Sequence, residues 1–325
     1  MATTKGALTI SEAKEVADRL LANVGKVIFG KGREEQLAVM ALMCQGHLLI
    51  EDVPGVGKTM LARSVAKSIG GKFRRIQFTP DLLPADITGV SVYNQKNGEF
   101  EYREGPISAE VVLADEINRA SPKTQAALLE AMEERQVTVD GVPHPMPSTF
   151  MVMATQNPIE YEGTFPLPET ELDRFLVRLK LGYPEKADEM NVLEAQRYRH
   201  PIDEIGEVIE PGELAGLQAA VKTVYVAEEV RDYVVSVCAG TRDHPNLYLG
   251  ASPRGSLAMY RLAQAKAVIE DRDYAAPDDV KDLAHAALGH RVILSSAARI
   301  QGATASDAIS EVLEQTPVPG ASPIV

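Results

Sequence analysis

Short apolar runs alternate with helix-period stretches through the first half of the chain, and only helix-period stretches follow. The runs at about 47–51, at 73–78 (FRRIQF), 111–115 (VVLAD), 150–155 (FMVMAT) and 175–181 (FLVRLKL) read as strands. VVLA is apolar without a break, as a parallel strand buried on both faces requires. Between the runs lie helical patterns. Residues 11–24 place Val16, Leu20, Leu21 and Val24 on one face, a second helix occupies about 33–45, and a third carries Met60, Leu61, Val65 and Ile69. Ser121-Pro122 reads as an N-cap with proline at the first helical position, opening TQAALLEAMEER. Strands alternating with helices predict an α/β three-layer domain.

Two stretches interrupt that rhythm. Residues 86–106 hold β-like pieces around Asn97-Gly98, and 136–149 hold Val137 and Val139 before Asp140-Gly141. Both dipeptides are hairpin turn signals, so two hairpins should project from the core. After Tyr183-Pro184 the alternation stops. Helices are predicted at about 185–199, 211–222, 227–240, 253–270 and 277–288, and the tail TPVPGASPIV should fray. The expected division is therefore 1–183 for the α/β domain and 184–325 for a helical one.

The 325 residues suit about two domains, with 45% apolar and 24% charged residues. The formal net charge of −13 lacks the cationic surplus from which duplex-binding proteins draw non-specific affinity, so no nucleic-acid partner is expected. The only cysteines, Cys44 and Cys238, sit in apolar surroundings and read as core residues, which argues against a disulfide scaffold. Cys44 and His47 have metal-like spacing but no second ligand pair. No apolar run approaches the ~18 residues of a membrane span, and the first residues carry no signal core. A cytoplasmic location is the expectation.

The chemistry is concentrated after two of the strands. LLIEDVPGVGKT places Gly55 and Gly57 around Val56, just before Lys58 and Thr59. Glycine permits the positive φ and close backbone approach that let N–H groups surround a phosphate. The loop opens a helix, whose N-terminus favours an anion. Lys58 would reach the β/γ-phosphates and Thr59 would place its hydroxyl on Mg²⁺. The strict phosphate-loop pattern has glycine where this chain has Asp52, so that carboxylate should point away from the phosphates. VVLADE then supplies Asp115 for Mg²⁺ and Glu116 to polarise a water.

Other polar residues stand at element ends. Gln156 and Asn157 follow the FMVMAT strand, to orient the water or simply to form an Asn-Pro turn. Arg174 precedes the last core strand, either as a partner of Glu171 or Asp173 or as a charge donor to a neighbouring subunit's nucleotide, with Arg178 competing for that role. In GASPRG, Arg254 falls in the first turn of a helix, where a cation opposes the dipole unless an anion is near.

The stretches EDVPGVGKTMLARSVA, QFTPDLLPADITG, EGPISAEVVLADEINRASPKTQAALLEAMEERQVTVDG, MATQNPIEYEGTFPLPETELDRFLVRL, GASPRGSLAMYRLAQAKA and HRVILSSAARIQGAT resemble the MoxR family of AAA+ ATPases, a resemblance running from about residue 9 to 318. It implies a P-loop NTPase αβα core with a five-stranded parallel sheet, followed by a small all-helical AAA+ lid. It implies ATP and Mg²⁺ bound at the subunit interfaces of a hexameric ring. Carried over motif by motif, Pro54, Gly55, Val56, Gly57, Lys58, Thr59 and Met60 form the Walker A segment, and Asp115 and Glu116 form Walker B. Asn157 is sensor 1, Arg174 the arginine finger and Arg254 sensor 2, while Val27, Ile28 and Gly30 edge the adenine pocket. Asp52 is similar to what MoxR-type chains carry. The hairpins correspond to inserts that face the ring pore or its mouth in that clade. The implied activity is chaperone-like remodelling, assembly or activation of a protein client, beside a partner with a von Willebrand factor A domain. Two rival readings are a nucleic-acid-stimulated motor and a nucleotide-gated scaffold with negligible turnover.

Overall fold

The computed structural model describes residues 7–158 and 163–320. One of the resembling stretches runs through 159–162, which lie outside the described residues, as does part of the expected frayed tail. The chain forms two compact units. One comprises Arg19–Arg174 with Leu179–Pro211, and the other the described parts of Met1–Asp18, Phe175–Arg178 and Gly212–Val325.

The elements of the first half are α1 (Ile10–Val24), α2 (Gly32–Met43), β1 (Leu48–Glu51), α3 (Lys58–Ser68), β2 (Phe73–Gln77), α4 (Pro84–Thr88), β3 (Gly89–Asn94), β4 (Glu99–Glu104), β5 (Val111–Asp115), α5 (Pro122–Glu134), β6 (Gln136–Val139), β7 (Val142–Pro145), β8 (Met151–Gln156), α6 (Glu169–Leu172) and β9 (Val177–Leu179). Strands β2-β5-β8-β1-β9 form the five-stranded parallel sheet, in that order. All of β5 and the first five residues of β8 are buried, which explains their unbroken apolar sequences. The edge strand β2 buries only Ile76 fully, so it tolerates Arg74 and Arg75. Strand β1 connects to the far edge at β2, whereas β8 leads across β1 to β9. This reversal lies at the carboxyl ends of β1 and β8, where open α/β sheets form a ligand crevice.

Both expected hairpins are present. β3 pairs with β4 around a turn with Gly98 at φ +72°, and β6 pairs with β7 across Asp140 and Gly141 at φ +50° and +80°. The Tyr102 ring stacks on His144, with centroids 3.8 Å apart, and so ties the two hairpins together. The helix α4 that precedes the first hairpin has no counterpart in the sequence reading.

The remaining elements are α7 (Lys186–Ala195), α8 (Pro201–Glu204), α9 (Pro211–Val221), α10 (Glu228–Arg242), β10 (Leu247–Leu249), α11 (Pro253–Ile269), α12 (Pro277–Leu288), β11 (Ile293–Leu294), α13 (Ser296–Ile300) and α14 (Ala305–Gln315). The small β10–β11 ribbon and the last two helices were not foreseen. Helices α7 and α8 fall in the unit that contains strands β1, β2, β5 and β8, whereas the sequence-based division at 183/184 follows the change of pattern. The apolar run 175–181 yields a strand only at its centre. The carbonyl of Phe175 instead accepts from Arg291 Nη2 at 2.6 Å and His290 Nε2 at 2.9 Å, and that of Leu176 from Arg291 Nη1 at 3.2 Å. Among the described residues, no helix is long and apolar enough to cross a membrane.

Candidate nucleotide site

Helix α3 begins at Lys58, and Gly57 before it is left-handed at φ +97°. Gly55 is also at positive φ, +87°, and a Cβ on either glycine would meet no atom within 4 Å. The loop is therefore an open cradle of backbone with α3's N-terminal amides at its base, the donor set that a polyphosphate requires. Lys58 Nζ donates to the carbonyl of Asp52 at 2.8 Å, which keeps the ammonium over the loop.

Asp52 itself is buried and turned to the protein. Its Oδ1 accepts from the Val53 N–H at 2.8 Å and its Oδ2 from the Gly182 N–H at 2.6 Å. The carboxylate thus stabilises the turn leaving β1 and the chain leaving β9, and its charge is satisfied by backbone donors.

The paired acids close β5. Asp115 Oδ1 accepts from the Thr155 hydroxyl at 2.6 Å, and Oδ2 from Arg75 Nε at 3.0 Å and Nη2 at 2.6 Å. The same Thr155 oxygen accepts the Glu116 N–H at 2.8 Å. Glu116 is left-handed at φ +56°, uncommon for a residue with a long side chain. That turn lifts its carboxylate out of the sheet, where Oε2 accepts from Gln77 Nε2 at 2.8 Å and pairs with Arg119 Nη1 at 2.9 Å. Asn157, buried beyond the end of β8, stands next to the register that pairs Glu51 with Gln156, so it lies beside the start of the phosphate loop.

A cavity of about 220 Å³ adjoins the loop. On one side it is lined by Val27, Ile28, Phe29 and Lys31, with Gly55, Val56, Gly57 and Met60. On the other it is lined by Pro184, Val192, Gln196, His200 and Pro201. Gly30 is not a wall of it. Gly30 instead leaves room for α7, since a Cβ there would stand 1.9 Å from Asp188 Oδ2.

The expected arginines are placed as follows. Arg174 donates from Nη1 to the Leu129 carbonyl within α5 at 2.7 Å, with its Nε 3.7 Å from Glu133 Oε2. The Arg178 guanidinium lies over Gly289, where a Cβ would be 2.6 Å from Nη2. Arg254 is exposed in the first turn of α11, its N–H capped by Ser252 Oγ at 3.1 Å, and it belongs to the other unit. His47 serves the fold instead of a metal. Its Nδ1 accepts from the Val152 N–H at 2.9 Å and its Nε2 faces the Met132 carbonyl at 3.3 Å, and burial holds its pKa down at about 3.

Sequence reasoning missed Arg75, Gln77 and Thr155 around the acids, and Phe29, Val192, Gln196 and His200 around the cavity. The α7 residues carried no local signal.

The arrangement is matched in known proteins. Residues 47–177 fit the model of the ATPase family associated with various cellular activities, and 239–312 fit its lid domain. The chain is 52% identical over 297 residues to the uncharacterized protein YeaC of Bacillus subtilis, covering 91% of this chain and 93% of that one. It is 39% identical over 323 residues to Chaperone MoxR1 of Mycobacterium tuberculosis, covering 97% of this chain and 85% of that one. A crystal structure of a supposed ATPase from Cytophaga hutchinsonii superposes with a TM-score of 0.88 at 34% identity, covering 94% of this chain and 97% of that one. With a glycine cradle after β1 and paired carboxylates at the end of β5, on either side of β8 in one parallel sheet, and with relatives of this similarity over nearly its whole length, the chain belongs to the MoxR family of AAA+ ATPases.

Proposed function

We propose that this protein is a Mg²⁺-dependent ATPase that spends each turnover on remodelling, assembling or activating a protein client. The observation that carries the reading is the shared hydroxyl of Thr155, which holds Asp115 and the backbone of Glu116 together at the carboxyl end of the sheet from which the Lys58 loop also leaves. Gly55, Gly57 and Lys58 would hold the triphosphate, and Thr59 and Asp115 the cation. Mg²⁺ supplies neutralisation of the charge that develops on the phosphate oxygens. Glu116 accepts a proton from the attacking water, and Asn157 orients that water. Arg254, and Arg174 from a neighbouring copy, are further cations for the same charge.

Association into a ring, proposed as a hexamer, fits the surface. Along the 183–198 stretch, Tyr183, Met190, Leu193 and Tyr198 are 75%, 62%, 71% and 83% exposed, a concentration of apolar side chains that a second copy would cover. The relative named a chaperone supports a protein client, and a von Willebrand factor A domain partner belongs to the same reading. The net charge of −13 favours a protein over a nucleic-acid client.

Glu116→Gln tests the proposal. It should bind ATP normally and release phosphate at least about a hundredfold more slowly, the scale of a lost general base. Tagged and held with ATP, it should retain proteins that the wild type releases. Undiminished turnover would defeat the role of Glu116, and stimulation of the wild type by DNA or RNA would favour the motor.

A further inference from the structure

We infer that Glu133 and Glu171 are positioning residues that hold Arg174 on its own chain until the phosphate of a neighbouring copy's nucleotide competes for it. The inference rests on the trans role proposed for Arg174 above and adds to it the two carboxylates that set when the guanidinium is available.

Arginines that serve the fold of this chain close their hydrogen bonds. Arg291 donates to the carbonyls of Phe175 at 2.6 Å, Leu176 at 3.2 Å and Ala287. Arg272 grips the Asp279 carboxylate with Nη1 at 3.0 Å and Nη2 at 2.7 Å. Arg174 differs. Its Nη1 reaches the Leu129 carbonyl at 2.7 Å, but its Nε is buried without a hydrogen bond, 3.7 Å from Glu133 Oε2. Glu171 Oε2 is likewise buried without a hydrogen bond. Glu171 belongs to the same turn, where its carbonyl accepts the Arg174 N–H at 3.2 Å. Burial pushes the Glu171 carboxyl up from its ordinary pKa, and the Arg174 charge opposes that rise.

A buried donor on a cation and a buried acceptor on a carboxylate each carry a desolvation cost when left unpaired. Here two such groups of opposite sign lie in one turn and stay unpaired. The reason is that one guanidinium is divided among three acceptors. Leu129 and Glu133 are a helical turn apart on α5, so the carbonyl and the carboxylate draw Arg174 from the same side, and Glu171 draws it from its own turn. The result is attraction without saturation. A group meant only to support Arg174 would close its bonds, whereas a restraint leaves donors to be claimed. Phosphate can take a guanidinium through two parallel charge-assisted bonds, which outcompete a carboxylate held at 3.7 Å.

The test is steady-state phosphate release by the full chain across a range of ATP, at protein concentrations where copies associate. The variants are Glu133→Gln, Glu171→Gln, Arg174→Ala and the double change Glu133→Gln with Arg174→Ala. Glutamine keeps the side chain's shape and removes its charge, and Glu133 is exposed, so its change should leave folding intact. Both glutamine variants should raise kcat about twofold to fivefold, the scale of a part-exposed ion pair, with the KM for ATP little changed. The double variant should turn over no faster than Arg174→Ala alone. A supporting role predicts the opposite sign, slower turnover beside a lower melting temperature. Glutamine variants that both work at or below the wild-type rate, or a gain that survives without Arg174, would overturn the inference. Mixing Arg174→Ala with Glu116→Gln copies separates the two ways of failing. Recovered activity there would leave the trans arginine standing without its restraint, and no recovery would remove the trans role itself.

Discussion

Thr155 donates its hydroxyl proton to Asp115 Oδ1 at 2.6 Å, and the same oxygen accepts the N–H of Glu116 at 2.8 Å. One buried side chain on β8 thereby fixes both acids at the end of β5. The pairing follows from the parallel register that sets Ala114 opposite Ala154.

Thr155→Val keeps the shape and deletes the hydroxyl. The Glu116 N–H and one Asp115 oxygen lose their partner, at a cost of about 1–3 kcal/mol. Phosphate release should slow about tenfold with little change in ATP affinity, because the residue positions the acids and does not touch the loop. Thr155→Ser should restore most of the rate. Thermal melts beside steady-state kinetics separate the two effects.

Arg174 is proposed to act on a neighbour's nucleotide, yet within its own chain it anchors the Leu129 carbonyl at 2.7 Å. Arg174→Ala should therefore both lower the melting temperature and slow hydrolysis. Mixed with Glu116→Gln copies it should regain activity, since hybrid interfaces then contain one intact set of groups. Recovery at no mixing ratio would assign Arg174 to structure alone and direct the trans role to Arg178.

Much of the fold was legible because the central strands are buried on both faces and cannot avoid long apolar runs. The loop was legible because phosphate binding restricts which residues can stand at Gly55, Gly57, Lys58 and Thr59. The residues around the acids were harder to foresee. Arg75, Gln77 and Thr155 reach Asp115 or Glu116 only across the sheet, and nothing in their own neighbourhoods signals it. The cavity wall from α7 was invisible for a different reason. That helix buries no residue, so its pattern shows no preferred face, and its place depends on Asp188 fitting against Gly30.

Gly30 therefore has a testable role. Gly30→Ala adds a methyl where Asp188 Oδ2 now stands and strains a backbone at φ +69°. Displacement of α7 should weaken ATP binding several-fold, read by displacement of a ribose-labelled fluorescent ATP from the full chain, with displacement by inorganic tripolyphosphate unaffected. Unchanged ATP affinity would mean that α7 is not a wall of the base site.

Glu35 gives a pH signature. It is buried in the first turn of α2, and burial, with Glu34 nearby, pushes its pKa up to about 7. The folded state thus holds a proton that the unfolded state gives up near the ordinary carboxylate value. This contribution to stability is complete below about pH 4.3 and is lost as pH rises through about 7. Glu35→Gln should melt higher than wild type at pH 8 and no higher at pH 4.5. His47 acts at the other end. Its folded pKa of about 3 lies below its unfolded value, so its stabilisation is present above about pH 6.5 and is lost as pH falls below it.

Equilibrium titration of Mg·ATP into the wild type and Lys58→Ala tests the central claim most directly, because Lys58, held over the loop by the Asp52 carbonyl at 2.8 Å, is the loop cation proposed to reach the phosphates. The account predicts saturable binding by the wild type and at least about a hundredfold weaker binding by Lys58→Ala, as for lost charge-assisted bonds to phosphate. Equal affinity in the two proteins, or no binding by the wild type, would contradict it.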